Sequence, residues 1–367
     1  MTGIVSMLTS ETAHALRRRA ARWLVRATFG PGKVFAVSAR LPMSGVHRIL
    51  VCRISHTLGN TLLLTPLLRE LERTYPGAEV DVLTRSPVAA QIFGGFSRVR
   101  YVHLLPGHGV ARPWRVWQVI RAMRARHYDL AIDPSVGSQS DRLGILAARA
   151  RSMLGYTAPG KGGWLTHGVA VPEHIRHVGQ LPVHLLRQAT ATEAQRAWPP
   201  LDLCLTDDER RSGAAVLTRL VPSQDEPKRR LIGVFTGATG RKQLDQDWWR
   251  RFAGRLTERT KLDSIVEIVP VSGKAFLADV FPTFYSSDLR ELACVLSGLS
   301  LFVSADCGVM HLACAAGAPT VGLFAVTDPT EWGPYGPRDA CLDIGGRTPE
   351  QSADALCLRV DEQAHID

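Results

Sequence analysis

Short apolar runs alternate with amphipathic stretches along most of the chain. In the first half, apolar runs predict strands at Arg48–Ile54, Glu79–Thr84, Val99–Leu105 and Leu130–Asp133. Apolar residues spaced three and four apart predict helices over Leu62–Tyr75 and Trp114–Arg126. Strands that alternate with helices in this way are typical of a doubly wound parallel sheet.

The second half repeats this layout without repeating the sequence. Strands are predicted at Arg230–Phe235, Ser264–Val269, Leu301–Val303 and Thr320–Phe324, and helices over Gln246–Arg259 and Leu289–Leu299. The double proline in Ala197–Leu203 favours an extended linker. We therefore expect an α/β chain with two Rossmann-like domains, residues 47–195 and 196–345, between a basic N-terminal segment (1–46) and a C-terminal tail (346–367). Ligands are expected in the cleft, at the carboxyl ends of the strands.

Three polar turns follow predicted strands, and the turn that contains Asp306 carries the most information. A helix that starts at Gly308 directs free N–H groups at a ligand beyond the strand, which suits a diphosphate. Asp306 could hold ribose hydroxyls, and His311 could add a hydrogen bond to phosphate. The same pattern also fits an ordinary βαβ unit in which Asp306 is only the N-cap of the helix.

The other two turns are Ser55–Asn60 and Thr236–Lys242. The second of them contains two glycines, two hydroxyls and two cations, namely Gly237, Gly240, Thr236, Thr239, Arg241 and Lys242. This combination suits a diphosphate, although an ordinary surface loop would also explain it. The spacing of a Walker A loop and the GxGxxG fingerprint of a dinucleotide site are both absent from the sequence.

Charge and cysteine content limit the possible binding partners and cellular compartment of the protein. The net charge is +10, but residues 1–48 hold eight basic residues and one acid, a net +7, which leaves +3 for the rest. Such a distribution argues against nucleic-acid binding by the whole protein. The seven cysteines form no CxxC pair, which indicates reduced thiols in the cytosol. Cys307, His311 and Cys314 would share a helix face, but no further ligands are evident, so we expect no metal.

The basic N-terminal segment predicts an amphipathic helix. Its apolar arc contains Ala13, Leu16, Ala20, Trp23, Leu24 and Ala27, and the opposite side contains Arg18, Arg19, Arg22 and Arg26. Such a helix suits an anionic membrane surface, so residues 10–29 are predicted to hold the protein there. A helix that packs on the body of the protein, or a partly disordered leader, would also fit. No secretory signal is visible, which favours the cytoplasmic face.

Three segments resemble glycosyltransferase family 9, the ADP-heptose:lipopolysaccharide heptosyltransferases. Arg53–Leu71 resembles the family's first motif, and Gly237–Lys242 its phosphate loop. Ala305–Phe324, followed by Thr327–Gly336, resembles its strongest signature. The resemblance runs from about residue 48 to 345, in the family's order and spacing.

The resemblance implies a GT-B fold and inverting transfer of a sugar from ADP-heptose to a lipid A–core acceptor at the inner face of the cytoplasmic membrane. It implies no cofactor and no metal. The implied donor-binding residues are Thr236, Gly237, Thr239, Lys242, Asp306, Cys307, Gly308 and His311. The implied acceptor-side residues are Ser55, Thr57, Gly59 and Asp133. Cys307 replaces the Thr or Ser usual in the family, and Lys274 stands nearest to a glutamate that the family often has, so the donor could differ from ADP-heptose.

The serious departure is Asn60, which stands where the family usually has an aspartate as general base. An amide cannot take a proton at neutral pH. Another group could serve, either His56, since histidines titrate near neutral pH, or Asp133 or Asp141. Alternatively, Asn60 orients the acceptor, and positioning and leaving-group stabilisation, with Lys242, do most of the catalysis. A third interpretation is a catalytically silent protein that binds a nucleotide sugar and serves as a scaffold.

Overall fold

A computed structural model describes residues 40–107, 112–157, 164–192, 196–222, 230–260 and 264–364. Most of the predicted N-terminal segment, residues 1–39, lies outside this part of the chain, so its amphipathic helix stays a prediction. No helix among the described residues is both long and apolar enough to cross a membrane.

The first half forms a six-stranded parallel sheet in the order β3-β2-β1-β4-β5-β6. Its strands are β1 (Arg48–Arg53), β2 (Glu79–Thr84), β3 (Val99–Leu104), β4 (Leu130–Asp133), β5 (Ser152–Thr157) and β6 (His167–Ala170). The central strand β1 is buried along most of its length because helices cover both faces of the sheet, which explains its nearly continuous apolar run.

Six helices within the described ranges accompany this sheet, and one of them begins in a predicted turn. They are α1 (Leu58–Leu62), α2 (Thr65–Thr74), α3 (Ala89–Phe93), α4 (Pro113–Arg124), α5 (Gln139–Ala148) and α6 (Leu181–Thr190). The helix predicted over Leu62–Tyr75 is α2, which begins at Thr65, whereas α1 begins within the turn predicted at Ser55–Asn60. Pro66 has no N–H to donate to the carbonyl of Leu62, and the Thr65 hydroxyl donates to that carbonyl instead, at 2.8 Å.

The second half forms another six-stranded parallel sheet, ordered β12-β11-β10-β7-β8-β9. Its strands are β7 (Leu231–Phe235), β8 (Ser264–Ile268), β9 (Thr283–Phe284), β10 (Leu301–Ala305), β11 (Thr320–Phe324) and β12 (Ala340–Asp343). Numbered from its own first strand, each sheet has the order 3-2-1-4-5-6, which is the doubly wound dinucleotide-binding topology. The two halves therefore share a topology, as the predicted pair of Rossmann-like domains requires, although their sequences show no repeat.

The helices of the second half are α7 (Asp207–Leu220), α8 (Gln246–Thr260), α9 (Leu289–Ser297), α10 (Gly308–Ala316), α11 (Pro329–Trp332) and α12 (Pro349–Ala364). Helix α7 begins with a capping box between Thr206 and Glu209, a signal that the sequence analysis did not use. Helix α12 lies in the segment treated above as a tail. Its Leu356 joins the core cluster of Trp249, and its Asp354 pairs with Arg255 at 2.9 Å, so it packs against α8.

Side chains from both halves hold the segment that connects them. Arg187 on α6 forms a buried ion pair with Glu70 on α2 at 2.7 Å, and it also donates to the carbonyls of Arg196 and Ala197. Further along, the N–H of Leu203 donates to a carbonyl of α10 at 3.0 Å. The predicted linker is in neither helix nor strand, and it is bonded to both halves.

Helix α7 should be intolerant of any side chain at Gly213, because a Cβ there would overlap the carbonyl oxygen of Cys294 on α9. We expect Gly213→Ala to lower the free energy of unfolding by about 2 kcal/mol. Gly254 on α8 is a matched control, since it is exposed and a Cβ there meets nothing within 4 Å. Gly254→Ala should raise the free energy of unfolding by about 0.5–1 kcal/mol. Urea unfolding measures both, and shifts of the same sign would contradict this account of the packing.

Candidate active site

The Asp306 turn lies at the carboxyl end of β10, where α10 begins. Cys307, not Asp306, is the N-cap of α10, and it has extended backbone and no side-chain capping bond. The interpretation of Asp306 as a simple N-cap was therefore wrong. Its carboxylate instead accepts hydrogen bonds from Lys242 Nζ at 3.1 Å and from the Thr327 hydroxyl at 2.6 Å. Asp306 thus joins two loops of the second half beside the start of α10.

His311 lies in the first turn of α10 and is almost fully buried. Its Nδ1 has no hydrogen-bond partner among the residues that the structure describes. Burial is the main reason that its pKa is lowered to about 4, although Asp306 acts in the opposite direction. The imidazole is therefore neutral at pH 7, and its ring has one N–H that can act as a hydrogen-bond donor.

The Thr236–Lys242 loop follows β7 and contacts the neighbouring loop after β8. A Cβ on Gly237 would lie 2.9 Å from Pro270, so the backbone can approach this closely only at a glycine. Thr239 is exposed and lines the adjoining cavity. The hydroxyl of Thr236 is buried and donates to Glu267 at 2.9 Å. The expectation that Thr236 offers its hydroxyl to a diphosphate therefore does not agree with its place in this structure.

Glu267 is a site residue that the sequence analysis missed. It is fully buried on β8, and its carboxylate accepts hydrogen bonds from the N–H groups of Phe276 and Leu277 at 2.7 Å as well as from Thr236. A carboxylate within the apolar strand Ser264–Ile268 is the signal that could have revealed it, because a buried acid needs several donors. Glu267 fixes the loop that carries Lys274, whose Nζ lies 5.2 Å from the centre of the Phe276 ring.

These loops enclose a cavity of about 540 Å³ at the carboxyl edge of the second sheet. It is lined by Leu58, Phe235, Thr236, Gly237, Ala238, Thr239, Gln243, Pro270, Ser272, Lys274, Phe276, Cys307, Gly308 and Val309. The volume lies within the usual range for small-molecule and cofactor sites. Of the predicted donor-binding residues, the structure brings Thr236, Gly237, Thr239, Cys307 and Gly308 to this wall.

The first turn of the chain meets the third across the two halves. Residues 58–62 form α1, which packs against α10. A Cβ on Gly308 would lie 2.9 Å from Leu58, and one on Gly59 would lie 3.2 Å from the His311 ring. A Cβ at Gly308 would therefore overlap Leu58, and one at Gly59 would fit only if the His311 ring moved by a few tenths of an ångström. Two turns that the sequence separates widely are thus joined into one site.

Asn60 on α1 is held by three partners. Arg53 Nη2 donates to its Oδ1 at 2.7 Å, and its Nδ2 donates to Thr57 Oγ1 at 2.8 Å and to Ser55 Oγ at 3.2 Å. Ser55 and Thr57 also share a hydrogen bond at 3.2 Å. The predicted acceptor-side residues of this turn therefore form one network around the amide.

The two carboxylates proposed as alternative bases lie in the interior. Asp133 is fully buried and pairs with Arg142 at 2.9 Å. Asp141 is also buried, accepts the N–H of Ile54 at 2.7 Å and lies 3.5 Å from Arg53. Burial, together with the charge of Asp133, raises the pKa of Asp141. His56, in contrast, is exposed on the first turn.

A second cavity, of about 300 Å³, opens beside Asn60 at the carboxyl edge of the first sheet. It is lined by Arg53, Asn60, Leu63, Leu64, Pro134, Ser135, Val136, Gly137, Ser138, Val178, Leu181 and Pro182. Within the described ranges, no group of three or more His, Cys, Asp or Glu residues could hold a metal ion. The site is thus two cavities, one on each sheet, with α1 and α10 in contact between them.

Known proteins resemble this chain in sequence and in fold. A model of glycosyltransferase family 9 (heptosyltransferase) matches residues 273–358. Lipopolysaccharide heptosyltransferase 1 of Pseudomonas aeruginosa is 25% identical over 332 residues, 79% of this chain and 81% of that protein. A glycosyl transferase family 9 structure from Veillonella parvula DSM 2008 has a TM-score of 0.70 at 17% identity, over 89% of this chain and 98% of that chain.

A second solved structure, E. coli heptosyltransferase WaaC with ADP-2-deoxy-2-fluoro heptose, has a TM-score of 0.65 at 20% identity. The match covers 86% of this chain and 99% of that chain. At such low sequence identities, these two structures are evidence for the fold alone. They confirm the predicted GT-B architecture of two doubly wound halves.

His311 should make the stability of the protein sensitive to mild acid. An unfolded histidine has a pKa of about 6.5, so between that pH and about 4 the unfolded chain binds a proton that the native protein does not. Stability that is present at pH 7 is therefore lost as the pH falls through this window. We expect His311→Gln to lose about 2 kcal/mol less free energy of unfolding than wild type between pH 7 and about pH 5.

Denaturant unfolding at both pH values measures this effect. The control is His47→Gln, because His47 is exposed. Equal losses in wild type and His311→Gln would contradict a neutral buried imidazole.

Proposed function

We propose that this chain, a glycosyltransferase with a family 9 domain, transfers heptose from ADP-heptose to a lipopolysaccharide acceptor with inversion at the sugar. The family resemblance and the class of enzyme expected from the sequence are confirmed by these matches. The acceptor class is supported by the name of the P. aeruginosa relative, and the donor by the WaaC structure with ADP-2-deoxy-2-fluoro heptose.

The observation that carries the proposal is the convergence of the three polar turns. Helix α10 directs its first N–H groups, without a side-chain cap, toward the cleft, and Lys242 reaches Asp306 beside them. Free N–H groups at a helix start bind phosphate oxygens, and a nearby ammonium adds charge neutralisation. A donor diphosphate in this position is a leaving group whose developing charge is stabilised by both.

The cavity of about 540 Å³, which we call the donor cavity, extends from this point toward the loop that Glu267 holds by hydrogen bonds. We place the nucleoside there, between Gly237 and the Lys274–Phe276 stretch, because the cavity is mostly apolar with a few polar groups at its edges. The acceptor would enter the cavity beside Asn60, on the other half. The reacting hydroxyl would then approach the donor sugar where α1 contacts α10.

The proton of that hydroxyl needs an acceptor other than Asn60, whose Oδ1 is already bonded to Arg53. We propose His56 as the general base, since Asp133 and Asp141 are buried and lie next to arginines. In this scheme Asn60 is a positioning residue, because its network fixes the turn on which His56 lies. Residues 10–29 would hold the enzyme at the inner membrane face, as the sequence predicts.

Replacing Lys242 tests the donor site. We expect Lys242→Ala to lower kcat for ADP release from ADP-heptose by about 100-fold, because an electrostatic contact to the leaving group is lost. The neighbouring Arg241 is exposed and is the matched control, so Arg241→Ala should stay close to wild type.

Thermal shift with ADP-, UDP- and GDP-sugars tests the identity of the donor. A clear preference for UDP- or GDP-sugars would overturn ADP-heptose as donor.

Substitutions on α1 and the preceding turn test the base. We expect His56→Ala to lower kcat by about 100-fold or more, because the proton of the acceptor hydroxyl loses its acceptor. His47→Ala, an exposed histidine nearby in sequence, should leave kcat unchanged. If His56→Ala keeps the wild-type kcat, His56 is not the base. If wild type binds donor without turnover while Asn60→Asp gains activity, the natural chain is a silent binding protein.

A further inference from the structure

The net positive charge outside the N-terminal segment is concentrated in one stretch. Between Val82 and Tyr128 the chain has eight arginines and no aspartate, glutamate or lysine. Together with the N-terminal segment, this stretch accounts for more than the whole net charge of +10, so the rest of the chain is net negative. The excess of positive charge therefore lies in two stretches, and not in the N-terminal segment alone as expected above.

Helix α4 presents part of this charge together with exposed tryptophans. Trp114 and Trp117 lie one turn apart and expose 57% and 58% of their surface. The Arg121 guanidinium lies 5.4 Å from the centre of the Trp117 ring. The opposite face of α4 is anchored, because Met123 is buried and Ile120 packs against the same core cluster. We define the α4 surface as Arg112, Trp114, Arg115, Trp117, Arg121 and Arg124.

The charge of the α4 surface is uncompensated within the described part of the chain. Its four arginines form no ion pair with a described residue, and Arg124 only donates to the carbonyl of Ala147 at 2.7 Å. Arg126, from the same basic stretch, pairs with both Asp81 and Glu79. A simple solvated helix face would explain the arginines. It would not explain two large aromatic side chains among them.

The α4 surface lies at the same edge of the first sheet as the cavity beside Asn60, which we call the acceptor-side cavity. All strands of the first sheet are parallel, and α4 follows β3, so its first turns lie at the carboxyl edge of the sheet. Leu104, the last residue of β3, is 47% exposed at the same edge. Asn60 and the loop after β4 line the acceptor-side cavity at this edge.

We propose that the α4 surface docks on an anionic lipid bilayer. Tryptophan rings are stable at the level of the lipid head groups, and arginines pair with lipid phosphates. Docking would turn the carboxyl edge of the first sheet toward the membrane. This surface does not depend on the identity of donor or acceptor. Only its consequence, that a lipid-linked acceptor reaches Asn60 from the membrane, rests on the proposed function.

The test uses the full chain in a parent variant with a weakened N-terminal segment, Arg18→Gln, Arg19→Gln, Arg22→Gln, Arg26→Gln and Trp23→Phe. Vesicles contain phosphatidylglycerol and phosphatidylcholine at a ratio of about 1:2, or phosphatidylcholine alone. We expect the parent to co-sediment with the anionic vesicles. Adding Trp114→Ser and Trp117→Ser should lower this binding about tenfold or more.

Two further variants of the parent test whether other exposed apolar residues or the arginines of α4 contribute to vesicle binding. Val271 and Val280 are 80% and 64% exposed on the second half, and Val271→Ser with Val280→Ser should bind like the parent. Arg115→Gln with Arg121→Gln should weaken binding to the anionic vesicles and flatten its salt dependence. Unchanged binding of the tryptophan variant would overturn the proposal. So would a dimeric parent that the tryptophan substitutions make monomeric without loss of vesicle binding.

A conservative variant covers the case in which serine disturbs the fold. Trp114→Phe with Trp117→Phe keeps the aromatic bulk at both positions. Brominated phospholipids should quench the parent's tryptophan emission, and most of that quenching should disappear in the phenylalanine variant. Equal quenching in both proteins would show that other tryptophans contact the lipid, which contradicts docking through α4.

Discussion

The two halves of the molecule come into close contact where α1 meets α10. A Cβ on Gly308 would lie 2.9 Å from Leu58, closer than real Cβ atoms approach, and one on Gly59 would lie 3.2 Å from the ring of His311 and displace it slightly. This close approach brings the start of α10 to the cleft and the first turn of the chain to the same place. Helix α1 lines both cavities, since Leu58 lies on the wall of one and Asn60 on the wall of the other.

The same contact sets the electrostatics of the donor side. Since Gly59 covers His311, the imidazole is buried and its pKa is lowered to about 4, so it contributes no charge at neutral pH. The positive potential beside Asp306 then comes from Lys242 and from the start of α10. A neutral histidine packed under a helix start can donate a hydrogen bond without repelling a cation nearby.

The acceptor side is organised around Arg53. Its guanidinium donates to Asn60 and lies 3.5 Å from Asp141, so it connects the first turn to the interior of the sheet. An aspartate in place of Asn60 would face the same cation. The amide leaves more of the positive charge of Arg53 on the cavity wall, and in the proposed mechanism a neighbouring group removes the proton.

Much of the fold could be predicted from the sequence because buried parallel strands leave a simple pattern. The strands Glu79–Thr84, Leu130–Asp133 and Thr320–Phe324 lie at the predicted residues. Local exceptions were missed: α1 begins within the predicted turn Ser55–Asn60, and the helix predicted from Leu62 begins only at Thr65, next to Pro66. Helix α12 was missed because its apolar face becomes apparent only against α8.

By itself, the sequence determined the alternation of strands and helices, the positions of the three polar turns and the two basic stretches, since each is a local pattern. Only the tertiary structure decided that Asp306 pairs with Lys242, that Glu267 holds Thr236, and that Gly59 covers His311. These contacts join residues far apart in the chain. They follow from the order of the parallel strands in each sheet and from how closely two helices pack. No short stretch of residues determines the strand order or the helix packing.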